Sequence, residues 1–235
     1  MTISPQLQPY FKGFSFPADI ILTAVYMKCR FSLSYRDIEE LCEMRGVNLD
    51  HATIQRWVIR FIPLLDKRFR QRKKPVSASW RMDETYIKIR GKWKYLYRAV
   101  DKYGDTIDFL LRAKRDKVAA KAFFKKAIRE NGKPEKVNID KSGSNTYALE
   151  DINTEYKDNK EEKIEIRQNK YINNRIEGDH RFIKRIVRPM LGFKSFLSAK
   201  ITITGIEIVN MIRKKQINKN ESHNNFQTFA SLIVA

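Results

Sequence analysis

Apolar positions change their period along this chain, and the change divides it. In the first seventy residues they read as helical: Pro17-Ala18-Asp19 starts a helix that runs to about Arg30. Ser34-Tyr35-Arg36-Asp37 has the form of a capped helix start, with Ser34 as N-cap and Asp37 at the third helical position. That helix carries Ile38, Leu41 and Cys42 on one face, and Gly46 breaks it. Asp50 caps a second helix from His51 to about Phe61, which buries Ile54, Val58 and Phe61; Pro63 is expected to end it. Residues 67–74 (KRFRQRKK) read as a basic connector closed by Pro75. From Ser79 the period falls to two. SWRMDETYIKI, GKWKYLYRAVD and DTIDFLLRA predict three strands, with turns at Arg90-Gly91-Lys92 and Lys102-Tyr103-Gly104, hence an antiparallel meander. A helix over Asp116–Arg129 turns Ala119, Ala122, Phe123 and Ala127 inward. KVNID is a fourth strand, residues 148–162 a polar helix and loop, IEIR a fifth strand, and residues 173–187 a further helix.

These elements predict an α/β (α+β) chain. The order βββαβαβα is that of a ribonuclease-H-like core, preceded by a small all-α domain. Two short helices joined by a Gly-containing turn are a helix-turn-helix signature. The expected layout is a helical DNA-binding domain over 1–66, with the helix-turn-helix at about 34–61. A basic linker over 67–78, a catalytic domain over 79–215 and a tail over 216–235 follow.

Charge narrows the partner. Lys+Arg total 47 against 27 Asp+Glu, a formal net charge of +20 in 235 residues. A field of that sign and size selects a polyanion, and nucleic acid is the commonest. No apolar run approaches the ~18 residues of a membrane span. The start of the chain lacks a signal-peptide layout, so a cytoplasmic, nucleoid-associated bacterial protein is expected. Cys29 and Cys42 have no metal-ligand spacing and suggest a reducing compartment. On the second short helix, Thr53, Gln55, Arg56 and Arg60 lie off the buried face, and Arg36 lies on the first. Gln and Arg read purine edges in a major groove.

Candidate chemistry rests on three acids. Asp83 sits inside a strand, where Asp is disfavoured, Asp140 at the end of another, and Glu177 on the late helix. Such carboxylates can converge on a pair of divalent cations that clamp a phosphodiester in line for displacement. Glu84, next to Asp83, should point to the opposite strand face and be solvated or paired. Asp101, Asp105 and Asp108 cluster around a turn and read as local. Glu177, His180, Arg181 and Lys184 share a helix face, which places Arg181 and Lys184 toward DNA phosphates. Trp57, Trp80 and Trp93 read as core or partly buried anchors.

The chain resembles the DDE transposases of bacterial insertion sequences, most closely insertion-sequence family six. The resemblance is carried by LSYRDIEEL, HATIQRW, MDETYIKIRGKWKYLYRAVD, IDKSGSN, KYINNRIEGDHRFIKR and LGFKSF, roughly residues 13–215. It implies a ribonuclease-H-like core, a DNA-binding helix-turn-helix and transposition of the encoding element. It puts the catalytic triad on Asp83, Asp140 and Glu177, and a catalytic basic residue on Lys184. It also implies Mg²⁺, with Mn²⁺ able to substitute, in about two sites, and a homodimer or larger assembly on double-stranded DNA. The Asp140–Glu177 interval is slightly longer than is common in that family, and Gly178 stands where Gln is commoner. Two other readings remain at this point: a ribonuclease-H-like nuclease that cuts without joining, and a helix-turn-helix regulator or inactive transposase copy.

Overall fold

A computed structural model describes residues 11–141, 143–218 and 223–233, leaving aside the side chains of residues 170–175 and 177. The chain forms two compact units. One comprises Pro75–Arg181 and the other the segments on either side of it.

The central unit is built on a five-stranded mixed sheet of order β3-β2-β1-β4-β5. Its strands are β1 (Ser79–Ile89), β2 (Lys92–Asp101), β3 (Thr106–Arg112), β4 (Lys136–Ile139) and β5 (Glu165–Gln168). β1, β2 and β3 form the antiparallel meander; β4 and β5 join in parallel. The β1–β2 turn puts Arg90 (φ 49°) and Gly91 (φ 75°) in the left-handed region, the backbone of a two-residue hairpin that matches strand twist. Helices α4 (Lys117–Asn131) and α5 (Gly143–Asp158) cover one face of the sheet, in a core that includes Trp80, Met82, Tyr97, Phe123, Val137 and Ile152. Asp116 caps α4 through the Ala119 amide. The strand order and the parallel β1–β4 junction are those of the expected ribonuclease-H-like core. The fifth strand leads into α6 (Lys170–Val187), which runs out of this unit.

The other unit is helical: α1 (Ala18–Arg30), α2 (Tyr35–Glu43), α3 (His51–Arg72), the end of α6, α7 (Phe196–Arg213) and α8 (Asn225–Ala230). The capping box at Ser34 forms as expected, with the Ser34 hydroxyl accepting from the Asp37 amide and the Asp37 carboxylate accepting from the Ser34 amide. Gly46, at φ 72°, ends the turn after α2. Asp50 caps α3 through the Ala52 and Thr53 amides.

Two expectations fail here. Pro63 does not end α3, which continues through it to Arg72. An internal Pro costs about 3 kcal/mol. Beyond it, Leu65 and Phe69 are both fully buried, each contributing about 1.5–3 kcal/mol, and Arg70 pairs with Asp66 at 3.1 Å. The packing outweighs the break, and the basic stretch 67–72 is helix rather than linker. Within the expected tail over 216–235, α8 packs on α1 and α7 and buries Phe229.

Helix α7 is apolar on nearly every face, as a helix surrounded by others must be. Its Gly205 has no room for a side chain: a Cβ there would press into Cys29 Sγ of α1 and lie 2.7 Å from Ile62 Cδ1 of α3. In an open helix Gly→Ala gains about 1 kcal/mol. Here overpacking of about 1–3 kcal/mol opposes it. Gly205→Ala is therefore expected to lower the denaturant midpoint, and adding Cys29→Ala to recover part of the loss.

Candidate active site

The sheet register brings distant acids level. Parallel pairing of β1 and β4 runs Ser79–Lys136, Trp80–Val137, Arg81–Asn138. Two residues further along each strand stand Asp83 and Asp140, at the open carboxyl end of β4, on neighbours about 4.8 Å apart. Carboxylate oxygens of Asp83, Glu84 and Asp140 all lie within 4.8 Å of one another.

Glu84 is paired, as expected, with Arg115, and it also joins the aspartates. Alternation does put it on the Trp80 and Met82 face, but there the ladder to β4 has ended and its carboxylate reaches the same point as the aspartates. Only 4 % of its side chain is exposed. Burial pushes its carboxyl up, opposed chiefly by the Arg115 guanidinium.

Two groups hold Glu84 and Asp140 together. Asn145, in the first turn of α5 and fully buried, donates from Nδ2 to Glu84 Oε1 at 3.1 Å and to Asp140 Oδ1 at 3.4 Å. Arg115, just before α4, reaches the other oxygens: Nη2 donates to Glu84 Oε2 at 3.3 Å and to Asp140 Oδ2 at 3.2 Å. Sequence reasoning missed both. The Asn of IDKSGSN sits five residues after Asp140, on the helix that follows the strand, and that placement was the available signal.

Helix α6 is anchored beside Asp83. His180, buried, places Nδ1 3.7 Å from Asp83 Oδ2. Asp179 accepts from Arg98 Nη2 at 2.8 Å, and Arg98, with no exposed side chain, stands directly across the β1–β2 ladder from Asp83. Glu177 lies in α6, two residues before Asp179; its side chain falls outside the described residues. Arg181 is exposed on α6, and Lys184, half-buried, belongs to the helical unit. The acids around the β2–β3 turn, expected to be local, also have partners elsewhere in the chain. Asp101 accepts from the Ser77, Tyr103 and Asp105 amides, and Asp108 pairs with Lys126 at 2.6 Å.

In the helical unit, exposed Arg36 and Gln55 both line a groove of about 760 Å³ that also includes Lys28 and Lys194. Arg56 and Arg60 are exposed on α3. Thr53 is half-buried; its hydroxyl donates to Asp50 at 2.7 Å and accepts from Arg56 at 2.7 Å, so the helix cap engages it. No helix among the described residues is long and apolar enough to cross a membrane.

Comparison with known proteins supplies what geometry alone does not. A family described as "DDE domain" matches residues 77–216, and one described as "Transposase IS66 family" matches residues 14–134. The chain is 43 % identical over 206 residues to the transposase for insertion sequence-like element IS431mec of Staphylococcus aureus, covering 88 % of this chain and 89 % of that protein. It is equally similar to the transposase for insertion sequence element IS257 in transposon Tn4003, also from Staphylococcus aureus. Among solved structures it is similar to the HTLV-2 integrase catalytic core domain in complex with magnesium (TM-score 0.46, 18 % identity, 67 % of this chain and 97 % of that chain). Matches of this length, at this identity and over both units, make the chain a member of the insertion-sequence DDE transposases, enzymes that transfer DNA strands during transposition.

Proposed function

We propose that Asp83, Asp140 and Glu177 are the metal ligands of this transposase, and that they hold Mg²⁺, with Mn²⁺ able to substitute, as a pair of ions. The observation that carries this reading is the level placement of Asp83 and Asp140 on adjacent parallel strands, 57 residues apart in sequence. The donor set fits. Carboxylate oxygens are the hard ligands Mg²⁺ takes, and it commonly uses only one or two of them beside substrate phosphate. Held there, such ions would polarise the scissile phosphodiester for attack by water or by a 3′-hydroxyl.

The chain's own groups do the rest. Asn145 and Arg115 fix the Asp140 carboxylate by both oxygens and keep it beside Glu84. Arg98, through Asp179, fixes the part of α6 that carries Glu177. Arg181 and Lys184 take DNA phosphates, as point charges and donors that position without reading sequence. Arg36, Thr53, Gln55, Arg56 and Arg60 contact the terminal inverted repeats of the element, with Gln55 and the arginines suited to base edges. Two ends must be held for joining, so a homodimer or larger assembly on DNA acts, in the bacterial nucleoid.

The test uses purified protein, a labelled duplex ending in the element's terminal repeat, a target plasmid, and Mg²⁺, Mn²⁺ or EDTA. Cleavage and joining in either metal, with neither in EDTA, is the expected result. Cleavage without joining would move the reading to a nuclease. Specific binding with no chemistry in any metal would make this a regulator or an inactive copy.

A further inference from the structure

The hairpin that carries Asp83 and Glu84 continues beyond them, and its far half is aromatic and open. Register aligns the side chains of one sheet face in rows: Glu84, Tyr97 and Leu110; then Tyr86, Tyr95 and Arg112; then Lys88 and Trp93. The first row is closed over by the core, where Tyr97 stacks on Phe123. The next two are open at their edges, with Tyr95 half-buried against the core. Tyr86 is 55 % exposed and Trp93 60 %. The three outer rings meet one another, Tyr86 with Tyr95 at 5.5 Å and with Trp93 at 6.2 Å between centroids. The opposite face of the same strand is ordinary, with Ile87 and Ile89 buried. This corrects the expectation for Trp93: Trp57 and Trp80 are buried, whereas Trp93 is not.

Two exposed rings, Tyr86 and Trp93, that meet beside the half-buried Tyr95 form an aromatic patch of the kind that marks a binding site. Its surroundings are cationic: Lys88 and Arg112 in the same rows, with Arg90 and Lys92 at the hairpin tip. Aromatic faces set among cations suit single-stranded nucleic acid, whose bases stack on rings while its phosphates meet the charges. A protein partner would meet the same charges as a desolvation cost. The position is also suitable. Trp93 pairs with Lys88, four residues past Glu84, or about 13 Å along the strand at ~3.3 Å per residue. That is the length of about four stacked nucleotides at ~3.4 Å each.

We infer that Tyr86, Tyr95 and Trp93 form a stacking platform for unpaired bases of the DNA strand that runs from the scissile phosphate. The platform takes a few nucleotides opened at the duplex end, and Lys88 and Arg112 take their phosphates. This reading uses the transposase family and does not depend on which carboxylates bind metal.

The test is therefore made in EDTA, without chemistry. Two probes are compared: a blunt duplex, and the same duplex with four unpaired thymidines at one 3′ end. Trp93 is the only tryptophan of the three that is exposed, so its emission reports occupancy while Trp57 and Trp80 report the fold. The overhang probe is expected to quench the exposed component and shield it from acrylamide, and to bind on the order of ten-fold more tightly than the blunt one. Trp93→Ala and Tyr86→Ala should erase that preference, and Trp93→Phe should keep most of it. Equal affinity for both probes, or a preference untouched by Trp93→Ala, overturns the platform. A change of oligomeric state in Trp93→Ala with the preference intact would also overturn it, in favour of a contact between protein chains.

Discussion

Asp140→Asn is expected to reduce strand cleavage and joining by about three orders of magnitude while leaving DNA binding in place. Asn removes one negative charge and one acceptor oxygen from a carboxylate both of whose oxygens are engaged, Oδ1 by Asn145 and Oδ2 by Arg115. The new amide must turn its NH₂ toward one of these donors, so a donor faces a donor and the side chain loses its fixed orientation. The metal loses one of three proposed anionic ligands at the same stroke. Bound cations stabilise a phosphoryl-transfer transition state by several kcal/mol, and about 1.4 kcal/mol is tenfold in rate, which gives the expected factor of about 10³. Binding should not suffer, because the net charge only rises and phosphate neutralisation supplies most of the affinity. Labelled-strand joining and filter binding on the same preparation separate the two quantities. Activity within tenfold of the parent would remove Asp140 from the metal site. Asn145→Ala should act in the same direction but less severely, as loss of a group that orients a ligand does.

What the sequence made legible is local, and what it hid is tertiary. The three meander strands match within a residue or two because alternation and the Arg90-Gly91 turn encode them without reference to anything distant. The Ser34 capping box and the Asp50 and Asp116 caps were readable for the same reason. Asp83 stood out because Asp inside a strand violates propensity; Asp140, at a strand end where Asp is ordinary, was carried by the resemblance in IDKSGSN. Pro63 misled, because the packing of Leu65 and Phe69 against other helices is invisible from the window around the proline. Glu84 was readable as a paired residue on the opposite face; alternation alone could not show that its carboxylate comes within reach of Asp140 where the ladder to β4 has ended. Arg115, Asn145 and Arg98 reach the site from three other places in the chain; Asn145 carried a signal in its spacing from Asp140, whereas nothing in the neighbourhoods of Arg115 and Arg98 marks them. The division into units was hidden by chain topology, since residues 182–235 return to the N-terminal helices.

Asp179→Ala should cost about 3 kcal/mol of unfolding free energy, and the manner of its rescue separates stability from function. Arg98 is wholly buried, and Asp179, mostly buried, meets it at 2.8 Å. Removing one partner of a buried pair costs about 3–5 kcal/mol. The lower end applies here because Asp83 remains across the ladder from Arg98. At this chain size that is a fall of roughly 6–12 °C in Tm. Replacing both partners by apolar residues, Arg98→Met with Asp179→Leu, should return much of the stability, because buried pairs seldom beat well-packed hydrophobic groups of similar volume. Strand transfer should not return with it. The bond joins the strand opposite Asp83 to the helix that carries Glu177, and a directional, charge-assisted hydrogen bond fixes a helix against slippage in a way that a methionine–leucine contact does not. If the double variant recovered both melting temperature and strand transfer, Arg98 and Asp179 would be structural only. If it recovered melting alone, with a raised metal requirement for the residual activity, the pair positions α6 for catalysis. That second outcome is the one the geometry favours, since Asp179 lies two residues from Glu177 and His180, next to it, comes within 3.7 Å of Asp83.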